Sequence, residues 1–533
     1  MKKMYCYLLG LAGAMMSITS CQEEFTSDSF NEDTQAIRIE TVKVRTETDT
    51  KVSLSGTAFS WVDGDQIAVW TGTGSTAGSF QTCSVSGGSI SVNLEGGAVR
   101  RNYAIYPESA ADASNYGQTT LNVKLPASYD HAAILGTNTP LPMVARNENG
   151  QGLTFYNVAG LLRVTVKAIP NDATGLVFEF PGKKVNGTFT VSKPGTEEPF
   201  INTDPPGSGE DKITVNFTAG TATEMTLNIP LPVGEYEDVY ISPKGSGTKV
   251  AAVRHIKAGG YDVSRAHGKQ LTATLVSFTV NASGDKVIFA PGNLQATYNG
   301  SSWKWKLADH QYDFVGNNVA NTKVTGSSPW VSENGTVDLF GWSTENKDVN
   351  YYGINNDPTD DSYTGSFKDW GDLAIGSYTG GFWSTPEAST SGWDYVITKR
   401  SINNSRGANL RYDIAMIENT YKGVIIYPDK YTHPTGVNIS ESGYFTAAVA
   451  TLDDWALMEE AGAVFLPAAG YRETDSDVVK VTNEDRYVNY WSKTGAGNNA
   501  NNLLFRVSTT ENYYTIEGRI RYKGLSVRLV HVL

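Results

Sequence analysis

Any chemistry this chain performs must be built from few reactive side chains. Its 533 residues hold 3 cysteines and 6 histidines. The histidines (His131, His255, His267, His310, His433, His531) are scattered. They form no HExxH pair to hold zinc, and no Gly-x-Ser-x-Gly elbow presents a nucleophile. A Ser/His/Asp grouping assembled by folding stays open, but nothing local supports one. Asp357-Pro358-Thr359-Asp360-Asp361-Ser362 is acidic yet lacks calcium-loop spacing and reads as a solvated loop. With Cys6, Cys21 and Cys83 so far apart, neither a cysteine zinc site nor CxxC redox chemistry can be built. The chain is therefore expected to carry no catalytic residues, metal or cofactor. One residue stands in an unusual setting: Cys21, in Ser17-Ile18-Thr19-Ser20-Cys21-Gln22-Glu23-Glu24, where an apolar run ends and acids follow.

Lys2 and Lys3 precede the apolar run Tyr5–Met16. That run is too short to span ~30 Å of hydrocarbon as a helix, but it suits the h-region of a secretory signal. Ile18-Thr19-Ser20-Cys21 resembles the bacterial lipobox. The resemblance implies a signal peptide over 1–20, cleavage before Cys21, and acylation of the Cys21 thiol by diacylglycerol, a palmitate-type anchor. Gln22-Glu23-Glu24 resembles the acidic export signal that sends Bacteroidetes lipoproteins across the outer membrane to the cell surface. Residues 21–36 are polar and acidic, with little to bury, and read as a flexible tether. No later segment approaches the ~18 consecutive apolar residues of a spanning helix, so the lipid is the expected membrane attachment.

Length predicts three or four domains at ~100–200 residues each. A net charge of −13 without clustered Lys and Arg excludes a nucleic-acid partner. Once Cys21 is blocked and the signal is removed, Cys83 stands alone, so stability must come from packing rather than disulfides. The chain changes character near residue 276. Nine of its 11 tryptophans lie beyond that point, which predicts two kinds of module.

Residues 37–275 read as short strands punctuated by Gly and Pro, with no convincing helix. Ser60-Trp61-Val62 and Gln66–Trp70 flank a tight Asp63-Gly64-Asp65 turn. In 37–44 the apolar side switches partway, which predicts a bulge or an edge strand. Trp61–Val69, Leu141-Pro142-Met143-Val144-Ala145, Leu153–Val164 and the Leu231-Pro232-Val233-Gly234 turn resemble, in order and spacing, the fimbrillin family of Bacteroidetes type V pili. The resemblance implies two transthyretin-like β-sandwiches, 37–166 and 167–275. It also implies a maturation step in which an arginine-directed protease removes the first strand and a neighbouring fimbrillin subunit donates one in its place. Arg45 in Val44-Arg45-Thr46 is the matching cleavage residue, following the strand 37–44. An extra C-terminal domain would block that end as a donor and place the protein at a pilus tip.

Residues 276–533 are aromatic and turn-rich. Thr451–Gly462 predicts a helix capped by Thr451, ended by Gly462, and burying Leu452, Trp455 and Met458. Leu525–Val530 alternates as a closing strand. Val464–Arg472, Tyr490-Trp491-Ser492, Leu503-Leu504-Phe505 and Gly524–Val530 resemble the C-type-lectin-like fold, in the branch shared by formylglycine-generating enzymes and the Fibrobacter major paralogous domain. The resemblance implies an α+β recognition domain with Trp491 in its skeleton. Redox cysteines for formylglycine generation are absent. So are the Glu-Pro-Asn or Gln-Pro-Asp and Trp-Asn-Asp motifs of calcium-dependent sugar binding. Tyr487, Asn489, Tyr490, Asn498, Asn499, Asn501, Asn502, Asn512, Tyr513 and Tyr514 lie between skeleton motifs, where diversified members of this fold place variable residues. Tyr and Asn together supply paratope-like contact chemistry. The expectation is a mainly β, lipid-anchored surface protein of fimbrillin type, possessing an adhesive unit that binds a protein or glycan through loops of 487–523. The alternative is a glycan-binding accessory lipoprotein that does not polymerise.

Overall fold

The computed structural model describes residues 38–46, 61–70, 80–94, 102–112, 121–135, 141–147, 152–194, 196, 198–203, 207–256, 261–265, 268–317, 319–322, 335–345, 352–354, 363–389, 391–475, 478–507 and 512–533. The architecture is mainly β, as the punctuated strand pattern predicts.

In the first unit seven strands bond in the order Phe80–Ser84, Gln66–Trp70, Asn102–Tyr106, Met143–Asn147, Leu153–Asn157, Arg38–Thr46, Ser89–Leu94. The strand Arg38–Thr46 serves two partners. Residues 38–43 run antiparallel to Ser89–Leu94, while residues 44–46 run parallel to residues 153–155. The strand is therefore internal to the sheet rather than at its edge, and its pairing with Ser89–Leu94 runs without a register shift. The Asp63-Gly64-Asp65 turn forms as expected: Gly64 takes φ +101°, and the Asp65 carboxylate accepts the Val62 N–H at 2.9 Å. Ile67, Val69, Ile90, Val92, Leu153 and Phe155 share one core with Cys83, whose thiol burial pushes up to about 11. That thiol is a packing group rather than a nucleophile.

The second unit packs a three-stranded sheet (Glu224–Leu231, Gly160–Lys167, Gly268–Thr274) on a five-stranded one (Ala252–His255, Asp238–Lys244, Gly175–Glu179, Lys212–Asn216, Ser128–Asp130). Leu162, Val164 and Val166 meet Leu176, Phe178, Ile213 and Val215 in one core, the inward alternation of a sandwich. Hydrogen bonding runs across the 166/167 boundary drawn from the sequence. Gly160–Lys167 pairs on both sides within the second unit, and Asn122–Leu125 and Ser128–Asp130 pair with Gly187–Thr190 and Lys212–Asn216.

The third unit closes where Lys286–Phe289 pairs with Val530–Val532. Its helix Leu452–Glu460 is capped by Thr451, whose hydroxyl accepts the Asp454 N–H at 3.0 Å. Trp455 and Met458 are buried, Leu452 packs beside them, and Gly462 at φ +90° follows the helix. The expected closing strand 525–530 is different. Only Val530–Val532 is a strand, and residues 524–526 make isolated bridges to Arg472, Phe340 and Tyr490. Both sets of its alternating residues are buried, so Ser526 and Arg528 face packed protein instead of water. The Arg528 guanidinium donates to Asn293 Oδ1 (2.9 Å) and to the carbonyls of Ala290 (2.9 Å), Gln311 (3.2 Å) and Phe465 (2.9 Å). Burial holds its pKa below the usual guanidinium range.

Among the described residues, contacts between the second and third units include the Ser377 N–H and hydroxyl donating to the Glu237 carboxylate (3.0 and 2.9 Å), an aromatic cluster and a histidine bridge. Tyr240 lies edge-on to Phe382 (5.5 Å) and His531 (5.2 Å). His255 places Nδ1 on the Asp238 carboxylate and Nε2 3.2 Å from the Ala308 carbonyl. Two acceptors flank one ring, so both nitrogens must carry protons. Burial opposes that charge, but Asp238, with help from Glu459 and against Arg254, holds the His255 pKa above the usual histidine range.

Two outcomes are expected. Arg528→Met strands several buried acceptors at about 1–3 kcal/mol each, so urea unfolding should show a loss of at least about 3 kcal/mol. Because the folded pKa of His255 is raised, its contribution is complete below the unfolded value and is lost as pH rises through the folded one, above 6.5. The melting temperature should therefore fall as pH rises above about 6.5, and His255→Gln should flatten that part of the profile.

Candidate functional site

The stretch expected to form binding loops is instead a three-stranded antiparallel sheet: Tyr487–Ala496, Asn499–Val507 and Asn512–Ile520. Valine, tyrosine and phenylalanine at alternate positions favour strands, and Gly497 (φ +62°) makes the first hairpin turn with Asn498. Register then sorts the expected residues. Asn489 is 1 % exposed and Asn502 is 0 % exposed, with the Asn502 amide donating to Asn489 Oδ1 at 3.1 Å. Asn489 is therefore an internal polar residue, and its side chain offers no surface to a ligand. Tyr490 is likewise internal, its hydroxyl 3.1 Å from Asn293 Oδ1. Trp491 is core, as its skeleton position implies, and donates to the Phe340 carbonyl at 2.6 Å.

The remaining residues divide between the two ends of the sheet. Asn498 is exposed at the hairpin tip with half-buried Asn499 beside it, and Asn501 follows two residues on. At the other end Tyr487, Arg506 and Tyr513 stand in one cross-strand row. At ~3.4 Å per residue, the seven residues from Asn499 to Arg506 separate these ends by roughly 24 Å. Tyr514 lies on the opposite face from Tyr513, packed against Phe505 (5.8 Å) and Tyr412 (6.3 Å). Asn512 is described only as a strand position opposite Val507.

Arg506 is the residue that sequence reading passed over. Its guanidinium carbon lies over the rings of Tyr487 (5.2 Å) and Tyr513 (5.0 Å), a cation held by two π faces. It directly follows the Leu503-Leu504-Phe505 skeleton motif, and only strand register reveals its neighbours. Tyr513 also lines a cleft of about 380 Å³ with Tyr412, Phe505, Asn409, Arg411 and Asp413. Asp413 is engaged there by the Tyr427 hydroxyl (2.7 Å), the Thr446 hydroxyl (3.0 Å) and Arg406 (3.2 Å). Arg411 donates to the carbonyls of Arg400 (2.6 Å) and Asn409 (3.3 Å). Burial, then the neighbouring Tyr514 and Asp413, raises the Tyr412 pKa, so its hydroxyl stays neutral. This arrangement offers aromatic walls and hydrogen-bonding edges.

Cys21 and the acidic run 357–362 lie outside the described residues. Arg45 is inside the first strand, opposite Thr154, rather than following it. Among the described residues no group of three or more His, Cys, Asp or Glu could hold a metal, and no helix is long and apolar enough to cross a membrane.

No protein-family model matches the chain, and no curated protein matches it. Among solved structures it is similar to a Bacteroides ovatus protein described as a candidate for cell adhesion. That pair is 13% identical with a TM-score of 0.30, covering 45% of this chain and 93% of the other. It is also similar to a fimbrial protein from Bacteroides ovatus (11% identity, TM-score 0.21, 92% and 99% covered). A third is a fimbrial assembly protein from Parabacteroides distasonis (10% identity, TM-score 0.23, 47% and 95% covered). At these TM-scores the superpositions do not establish a shared fold.

The burial pattern makes a simple contrast. Asn489→Ala should lower the unfolding free energy by about 1 kcal/mol or more, through loss of a buried amide pair. Asn498→Ala at the exposed tip should stay within about 0.5 kcal/mol. Paired urea titrations check both.

Proposed function

We propose that the chain is a fimbrillin-type lipoprotein anchored at the bacterial surface through Cys21, acting as a pilus tip or adhesin that binds a protein or glycan with its third unit. One observation carries this reading: a single strand, Arg38–Thr46, covers two strand edges at once. Cutting after Arg45 would uncover Ser89–Leu94 and Leu153–Asn157 together. The unpaired N–H and C=O groups, beside the buried side chains Ile90, Val92 and Phe155, would then form a groove ready to accept a donated strand. Val530–Val532 is already engaged with Lys286–Phe289, which favours a subunit that accepts a strand over one that donates.

A second reading, a non-polymerising glycan-binding accessory, is favoured by the aromatic-walled cleft at Tyr412 and Tyr513. The two separate on intact cells. If the first is right, Arg45→Ala leaves a longer polypeptide, and the wild type forms SDS-resistant ladders with other subunits. Identical maturation in that variant, with no ladders and retained polysaccharide binding, establishes the second in its place. In both readings Cys21→Ala loses metabolic palmitate label, and equal labelling of parent and variant removes the anchor.

A further inference from the structure

Basic residues favour the carbonyl end of a helix, which is its negative end. The helix Leu452–Glu460 instead ends on two acids, Glu459 and Glu460, and has no basic residue in its last turn. Glu459 accepts the Gln311 amide at 3.0 Å, whereas Glu460, among the described residues, has neither hydrogen bond nor ion pair. Both acids line a cleft of about 210 Å³ between the second and third units, and so do Arg254 and His255. Ala252–His255 is the edge strand of its sheet. Ala252 and Ile256 belong to the core of the second unit, so alternation lays the Arg254 stem along that apolar side, at the open margin of the sandwich. Its Nε is buried without a partner, and among the described residues its guanidinium has neither hydrogen bond nor ion pair. His255 adds charge but no free donor, because Asp238 and the Ala308 carbonyl occupy its two nitrogens. The cleft thus carries cations from the second unit and acids from the third, yet no ion pair joins Arg254 to Glu459 or Glu460.

These charges narrow the ligand. The other titratable groups in the cleft, Asp309 and His310, are paired with Lys306 (3.3 Å) and Asp313 (3.0 Å). A lone anion would meet Glu459 and Glu460, and a lone cation would meet Arg254 and protonated His255; both are repelled. A small molecule carrying both charges answers each side and adds no net charge. Val276, Phe278, Phe289 and Val464 supply apolar lining. The volume lies below the ~300–1,000 Å³ of common ligand sites, which limits the occupant to amino-acid size.

We propose that the cleft between Arg254 and Glu460 is a binding site for an apolar zwitterion of the α-amino-acid class, its carboxylate on Arg254 and its ammonium on Glu460. A planar carboxylate matches the paired donors of a guanidinium, and an ammonium is favoured at the negative helix end. Because the two sides belong to different units, the occupant ties the second unit to the third. This site goes beyond the adhesive reading and does not depend on it.

The test uses the full chain with L-leucine, L-phenylalanine and leucyl-leucine. Two further probes each lack one charge: N-acetyl-leucine and leucinamide. Calorimetric titration should show a zwitterion binding at least tenfold more tightly than either singly charged probe, and the melting temperature should rise with its concentration. Comparing L-leucine with leucyl-leucine separates a free amino acid from a dipeptide. Arg254→Gln and Glu460→Gln, each with an unchanged ligand-free melting temperature, should lose at least tenfold for the zwitterion that binds. Absence of zwitterion binding at millimolar concentration overturns the proposal. Singly charged probes that bind equally well overturn it without any variant, and so do variants that bind normally. A double variant whose ligand-free melting temperature shows the two changes to be coupled also overturns it, since the charges would then answer each other directly. None of these results bears on the surface-lipoprotein reading, which is tested on cells.

Discussion

The third unit depends on one buried cation. Among the described residues, no carboxylate forms an ion pair with Arg528. Its charge is spread over carbonyls from Ala290, Gln311 and Phe465 and over the Asn293 side chain. These acceptors come from Ala290 and Asn293 just after the strand Lys286–Phe289, from Gln311, and from Phe465 in the strand following the helix. Gln311 extends the network, donating to Glu459 at 3.0 Å and accepting the Phe465 N–H at 2.8 Å. A buried guanidinium is costly unless every donor finds an acceptor, so the segments must arrive together. The aromatic core that surrounds them, with Trp305, Trp342, Trp370, Trp383 and Trp491, packs around a polar connection already specified.

A similar economy governs the other end of the molecule. The first strand joins an antiparallel neighbour to a parallel one, and the change of partner falls between Lys43 and Val44. Hydrogen-bonding groups on both neighbours rely on that segment, which makes it a structural closure. The second unit shows how far strands can travel from their place in the chain: residues 122–135 leave the first unit to pair with Gly187–Thr190, Lys212–Asn216 and Leu227. The first two units are interlocked by backbone bonds, a firmer link than side-chain contact alone.

Much of the fold was legible in local pattern. The Asp-Gly-Asp turn needs a residue tolerant of positive φ, and Gly64 supplies it. The Thr451 cap, the helix after it, and the burial of Trp455 and Met458 follow from spacing within one helix. Site residues were less legible. Tyr487 and Tyr513 stood out by type, but Arg506 did not, because its role depends on which residues lie across two strand boundaries. Asn489 drew attention as a surface residue by composition alone, whereas pairing turned it inward toward Asn502.

The amino-acid order alone determined a mainly β chain with short strands, one well-capped helix and an aromatic C-terminal half. Those properties depend on neighbours within a few residues, where backbone preference and alternation act directly. Only the tertiary structure decided that Arg528 is internal while Arg506 stands between two tyrosines. Both arginines sit in runs of apolar residues, Leu525–Val530 and Leu503–Val507, that look alike. What separates them is the set of acceptors brought by distant segments: several meet Arg528, and none meets Arg506 among the described residues. Charge burial is settled by long-range partners, and those exist only after the chain has closed.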